Sequence, residues 1–171
     1  MAADVDKDFE FDVTKLDFNQ CVADIEQIRK VNSHRFEMEL LTGVILIDPT
    51  RHVIVGFKDI TENEFWVRGH MPGYPLMPGV LMLEAAAQLI SYYGTAQKVV
   101  EGRLMGLGSI DEARFHRRVS PGDRLVLVGR GIKVNRRINR FRCFGYVNGE
   151  KAFEATVTGV TLGDRKEMTG A

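Results

Sequence analysis

The chain has no net charge. Its 23 Lys and Arg balance 23 Asp and Glu, so nothing global draws it to nucleic acid. It holds only two cysteines, Cys21 and Cys143. They are too few and too far apart for a disulfide framework or a metal spacing, and both read as free thiols of a reducing cytoplasm, though one bridge between them is open. No apolar run approaches the roughly 18 residues of a membrane span. The longest, residues 80–90, is shorter and is broken by Glu84. The opening Met-Ala-Ala-Asp-Val-Asp lacks the basic and apolar regions of a signal peptide. There is no internal repeat, linker or low-complexity tract, and 171 residues suit one domain with a normal core. Proline is scarce too. Three of the five prolines crowd into residues 69–79, beside three glycines.

That crowding marks the stretch around which the chain is organised, residues 69–88. Its first half can be neither regular helix nor central strand. From Val80 the composition turns to Val, Leu, Met and Ala, mostly good helix formers. Pro78 stands where a helix can start, because a missing amide hydrogen costs nothing in the first turn. Residues 80–90 leave almost no polar face, which predicts a buried helix. Only Glu84 and Gln88 interrupt it, and four residues apart they share one face. A carboxylate there is paired, protonated or part of a site. His70, in the proline-rich turn, is the candidate to share its pocket. The amides of Gly79 and Val80 begin the helix, where free donors and the helix dipole favour negative charge. An imidazole, a buried carboxyl and free amides make an acid–base site with an oxyanion hole.

These residues resemble a known family. Gly69-His70, Met71-Pro72, Pro75, Pro78-Gly79-Val80-Leu81, Glu84-Ala85 and Ala87-Gln88 look like the signature of the 3-hydroxyacyl-(acyl carrier protein) dehydratases of bacterial fatty acid synthesis. Residues 108–115 and Pro121-Gly122-Asp123 extend the likeness downstream, and residues 24–28 with His34-Arg35 extend it upstream. It runs from about Asp24 to Leu162. Glu rather than Asp at position 84 resembles the FabZ-type branch, not the branch that also isomerises the double bond. The resemblance implies an α+β hot-dog fold, an antiparallel sheet wrapped around one long helix. It implies dehydration of a (3R)-3-hydroxyacyl thioester on acyl carrier protein to a trans-2-enoyl thioester. His70 would take the proton at C2. Glu84 of the partner subunit would help the C3 hydroxyl leave, as an acid whose pKa burial raises. The Gly79 amide would stabilise the thioester oxygen. Gln88 would serve Glu84, a backbone group or the substrate. Tyr74, where the family often has histidine, would be pocket wall. No metal or redox cofactor is needed for proton transfer. A homodimer or trimer of dimers, in the cytoplasm, is the implied assembly. Rival readings are a dehydratase/isomerase, a hot-dog thioesterase and a non-catalytic acyl-binding subunit.

The rest of the chain supplies the frame. Residues 1–23 read as an N-terminal extension, for which disorder is one reading, and 24–171 as the single domain. Asp24 predicts the cap of a helix to about Val31. Strand patterns fall at 44–47, 52–57, 65–67, 104–110, 124–134, 139–147 and 151–162, with turns at Asp48-Pro49, Pro121-Gly122-Asp123 and Asn148-Gly149. Asn32-Ser33 replaces the family's Leu-Pro, and Glu37 replaces a proline, so the entry to the first strand is expected to differ. His34, Arg35, His52 and His116 have no partner evident in sequence and read as structural. Residues 103–142 hold ten Arg and one Lys against three Asp and Glu. Within them, Arg114, Arg117, Arg118, Arg136 and Arg137 are either solvated strand faces or a docking patch for an acidic carrier protein.

Overall fold

The computed structural model describes residues 11–164. In chain order it contains α1 (Ile25–Val31), β1 (Gly43–Asp48), β2 (Val53–Asp59), α2 (Gly79–Ala96), β3 (Arg103–Phe115), β4 (Arg124–Val134), β5 (Ile138–Val147) and β6 (Glu150–Asp164). The six strands form one sheet in the order β1-β2-β4-β5-β6-β3. Every neighbouring pair is antiparallel. α2 packs across one face, against β2, β4, β5, β6 and β3. This is the expected α+β architecture, a sheet curled around one long helix.

Local chemistry explains the elements. Asp24 caps α1 with a full capping box: its carboxylate accepts from the Gln27 amide, and the Gln27 side chain accepts from the Asp24 amide. Asn148 and Gly149 both have positive φ, 52° and 80°, as a type I′ turn requires, and they set the register of the β5–β6 hairpin. Strand alternation divides the sheet into two faces. Ile54, Leu125, Leu127, Phe141 and Phe153 point to α2 and meet Leu89, Ile90 and Tyr93 in the main core. Each such fully buried side chain contributes about 1.5–3 kcal/mol.

The opposite face also has a cover. Val53, Val55, Val126, Val128 and Phe144 cluster there with Val13, packed by Phe11, Leu16 and Phe18. From residue 11 onward the N-terminal extension is therefore held, not loose. Phe18 meets Phe57 edge-on at 5.5 Å, and the Arg124 guanidinium lies over both rings while pairing with Asp59. Aromatic side chains in an otherwise acidic segment, meeting an apolar sheet face, supply the reason. The part of the extension before residue 11 lies outside the described residues.

Two expectations change. Residues 65–67 are not a strand. Their backbone closes turns, with the Val67 amide on the Glu64 carbonyl and the Gly69 and His70 amides on the Trp66 carbonyl, while the Trp66 side chain is buried. Nor is α2 buried all round. Val80, in its first turn, is 71 % exposed. No helix among the described residues is long and apolar enough to cross a membrane.

Candidate active site

The proline-rich turn holds His70 at three points. Its backbone amide donates to the Trp66 carbonyl, and its carbonyl accepts from the Leu76 amide, both at 2.8 Å. Its ring Nδ1 lies 2.8 Å from the Leu76 carbonyl oxygen. A carbonyl can only accept, so Nδ1 carries the hydrogen and the neutral ring leaves its lone pair on Nε2. The turn thus presents a base of fixed tautomer.

Glu84 lies in the second turn of α2, with 26 % side-chain exposure. Gln88, one turn on, is 2 % exposed and fully engaged. Its amide nitrogen donates to the Met38 carbonyl and to Glu84 Oε1, both at 2.9 Å, and its Oε1 accepts from the Leu40 amide at 3.1 Å. Asn32, where the entry to β1 departs from the family pattern, donates to the Gln88 carbonyl at 3.0 Å. The segment before β1 is therefore tied to the helix by the residue that supports Glu84, and Gln88 serves both Glu84 and the backbone.

A third group meets Glu84 that sequence reasoning missed. His34 Nε2 lies 3.4 Å from Glu84 Oε1. Fifty residues separate the two, so no local spacing could pair them. The one available signal was His34-Arg35 within the resemblance. His34 is thus a partner of the acidic residue rather than only a structural one. The expected rise in the Glu84 pKa is also overturned. Burial does push it up, but the hydrogen bonds from His34 and Gln88 and the nearby imidazole outweigh burial, and the net shift is downward.

Glu84, His34 and Gln88 line a cavity of about 190 Å³ between α2 and strands β3 and β6. His70 is not among its lining residues. Within one chain the His70 ring bonds Leu76, while Glu84 meets Gln88 and His34. Gly79 is the first residue of α2, whose N-cap Pro78 offers no side-chain cap, so the first amides have no partner within the helix. A Cβ at Gly79 would stand 2.8 Å from the Phe115 ring, which explains the glycine. Tyr74 is 53 % exposed and hydrogen-bonds Arg118, which also lies over its ring. In one chain it lies at the surface and does not line the cavity described above.

The arginines do not form one patch. Arg118 reaches Tyr74, Arg117 pairs with Glu150 and Arg114 with Glu154, near the start of α2. Arg136 and Arg137 sit in the β4–β5 hairpin, where the Arg137 carbonyl accepts from Thr161. The first group lies beside Ala152 on the same strand, β6. Nine residues of strand separate those levels, about 30 Å.

Comparison with known proteins fits this geometry. The chain is 38 % identical over 144 residues to the 3-hydroxyacyl-[acyl-carrier-protein] dehydratase FabZ of Bacillus cereus, covering 84 % of this chain and 99 % of the relative. It is 42 % identical over 134 residues to the protein of the same name from Clostridium acetobutylicum, covering 78 % and 94 %. Among solved structures, the dehydratase heterocomplex ApeI:P of Xenorhabdus doucetiae shares the fold, with a TM-score of 0.68 at 14 % identity over 84 % of this chain and 95 % of that one. The family model of the FabA-like domain matches residues 32–156, from the asparagine that anchors the Glu84 support to the middle of β6. By these matches and by its fold, the chain belongs to the FabA-like family.

Proposed function

We propose that this chain dehydrates (3R)-3-hydroxyacyl thioesters on acyl carrier protein, using His70 of one subunit and Glu84 of another. The observation that carries the assignment of residues is the division of the site. His70 is a positioned base with its Nε2 lone pair free, while Glu84 is a supported carboxyl at the mouth of a cavity. Each half needs the other, and a second copy supplies it. β3 is an edge strand, and an apolar surface of Met71, Tyr74, Val80, Leu107, Ile110 and Phe115 lies exposed on it and on the neighbouring turn and helix start. An apolar edge of this kind favours pairing with another chain. A homodimer, alone or as a trimer of dimers, buries that surface.

The chemistry then balances. His70 Nε2 takes the proton from C2, the C2–H electrons form the C2=C3 bond, and the C3–O bond breaks. The departing hydroxyl takes a proton from Glu84 and leaves as water. The α2 amides at Gly79 and Val80 stabilise the negative charge on the thioester oxygen. A bound acyl chain deepens the burial of Glu84, and burial is the influence that opposes its ionised form. Arg114, Arg117 and Arg118 lie at the helix-start end and suit docking of an acidic carrier protein. Arg136 and Arg137 lie too far away to join them.

The test is turnover of 3-hydroxyacyl carrier proteins with product identification by mass spectrometry. His70→Ala and Glu84→Gln should each lower kcat by at least about a hundredfold. The double variant should be little worse than the worse single one, because members of one catalytic unit are not additive. Near wild-type turnover by natively folded His70→Ala would refute the assignment. A cis-3-enoyl product would select the isomerising branch, and free thiol a thioesterase.

A further inference from the structure

We infer that Met105 is the stop that sets the acyl-chain length this enzyme takes, an inference that rests on the dehydratase reading above. The cavity begins at Glu84 and follows α2 to Ser91, seven residues or about 10 Å of helix. Its walls are mostly apolar, with Ala87, Ile90, Leu107 and Val157 among them. A tail leaving the reacting carbons beside Glu84 therefore has one course, along the helix toward Met105.

Met105 closes that course from β3. Its side chain lies in a slot made by two bare backbones. A Cβ on Gly94 of α2 would stand 3.2 Å from Met105 Sδ, and a Cβ on Gly159 of β6 would stand 2.5 Å from Met105 Cε. Behind it lies Asn139, fully buried, whose amide nitrogen reaches Sδ at 3.7 Å. A thioether is a weak acceptor, so packing in the slot holds the side chain more than this bond does. The cavity in front measures about 190 Å³. An engineered apolar cavity of about 150 Å³ accepts benzene, so a tail of roughly six to eight carbons fills this one. Longer tails must displace Met105. Methionine has three flexible side-chain torsions and yields more readily than a branched residue. Longer substrates are therefore slowed rather than refused.

The experiment compares kcat/KM for 3-hydroxyhexanoyl and 3-hydroxydodecanoyl carrier proteins in the full-length enzyme. Met105→Ala empties the slot, and the dodecanoyl-to-hexanoyl ratio should rise at least about tenfold, the usual scale for a change of a methylene or more in an apolar pocket. Gly159→Ala fills the place of Met105 Cε, drives the side chain into the cavity, and should lower the same ratio. The opposite signs keep the inference testable if either variant folds poorly. Unchanged ratios in variants that still dehydrate the hexanoyl substrate would overturn the role of Met105 and leave the dehydratase reading intact. A wild-type enzyme that dehydrates neither substrate would overturn that reading and the inference with it.

Discussion

Replacing Gln88 by leucine tests whether the site is built from its support inward. The change roughly conserves volume in a residue that is 2 % exposed, so lost packing is a small part of its effect. It removes three hydrogen bonds at once, to the Met38 carbonyl, from the Leu40 amide and to Glu84. Leu40 is fully buried, and an orphaned buried backbone group costs about 1–3 kcal/mol. The Leu40 amide pays that in full, and the Met38 carbonyl, nearer the surface, pays less. The total is about 2–4 kcal/mol. For a chain of this size each kcal/mol moves Tm by about 2–4 °C, so a fall of roughly 5–15 °C is expected in calorimetry or denaturant unfolding. Activity should fall further than stability explains, because Glu84 loses a donor that fixes its rotamer. At a temperature where the variant is fully folded, kcat should drop with little change in KM. A variant within about 0.5 kcal/mol of wild type, the range of ordinary surface substitutions, would refute the claim that Gln88 ties the segment before β1 to the helix.

Two further outcomes follow from the charges. Reversing Arg117 and Arg118 to Glu should raise KM for the carrier-linked substrate and spare a short CoA analogue, whereas reversing Arg136 and Arg137 should leave KM for both unchanged; equal effects from both pairs would remove the docking assignment. The Glu84 pKa is lowered in the folded chain, so the ionised carboxylate contributes stability that is fully present above its unfolded value, about 4.3, and lost as pH falls through the folded one. The stability difference between wild type and Glu84→Gln should therefore shrink between neutral pH and the acid range, and a difference constant across urea titrations at those pH values would contradict the shift.

Much of this architecture was legible because its signals are local. The period-2 runs of β4 to β6, the Asn148-Gly149 turn and the abrupt change of composition after Gly79 each specify one element. The capping box at Asp24 needs only the three residues that follow it. What could not be read was long-range. His34 meets Glu84 across fifty residues, and the Leu40 amide meets Gln88 across forty-eight. Residues 65–67 mislead for the complementary reason. Phe-Trp-Val has strand propensity, but the demand to bury Trp66 and to position His70 from its carbonyl wins over three residues of propensity.

The same distinction explains why the unusual setting of Glu84 was legible in the sequence while the direction of its pKa shift was not. An acidic residue among apolar helical neighbours announces a constraint, and pattern alone locates it. Whether that residue is charged depends on donors that approach from elsewhere, and here two imino or amide hydrogens, from His34 and Gln88, outweigh burial. Burial and donors pull its pKa in opposite directions, and the donors prevail. Under the dehydratase reading, a substrate tail entering the cavity would add to burial, since it displaces water without adding a donor. A general acid must hold its proton when the hydroxyl leaves and be able to regain it afterwards. Under the dehydratase reading proposed above, deeper burial by substrate would favour the protonated form that role needs, and the hydrogen bond from Gln88 would hold the carboxyl in place.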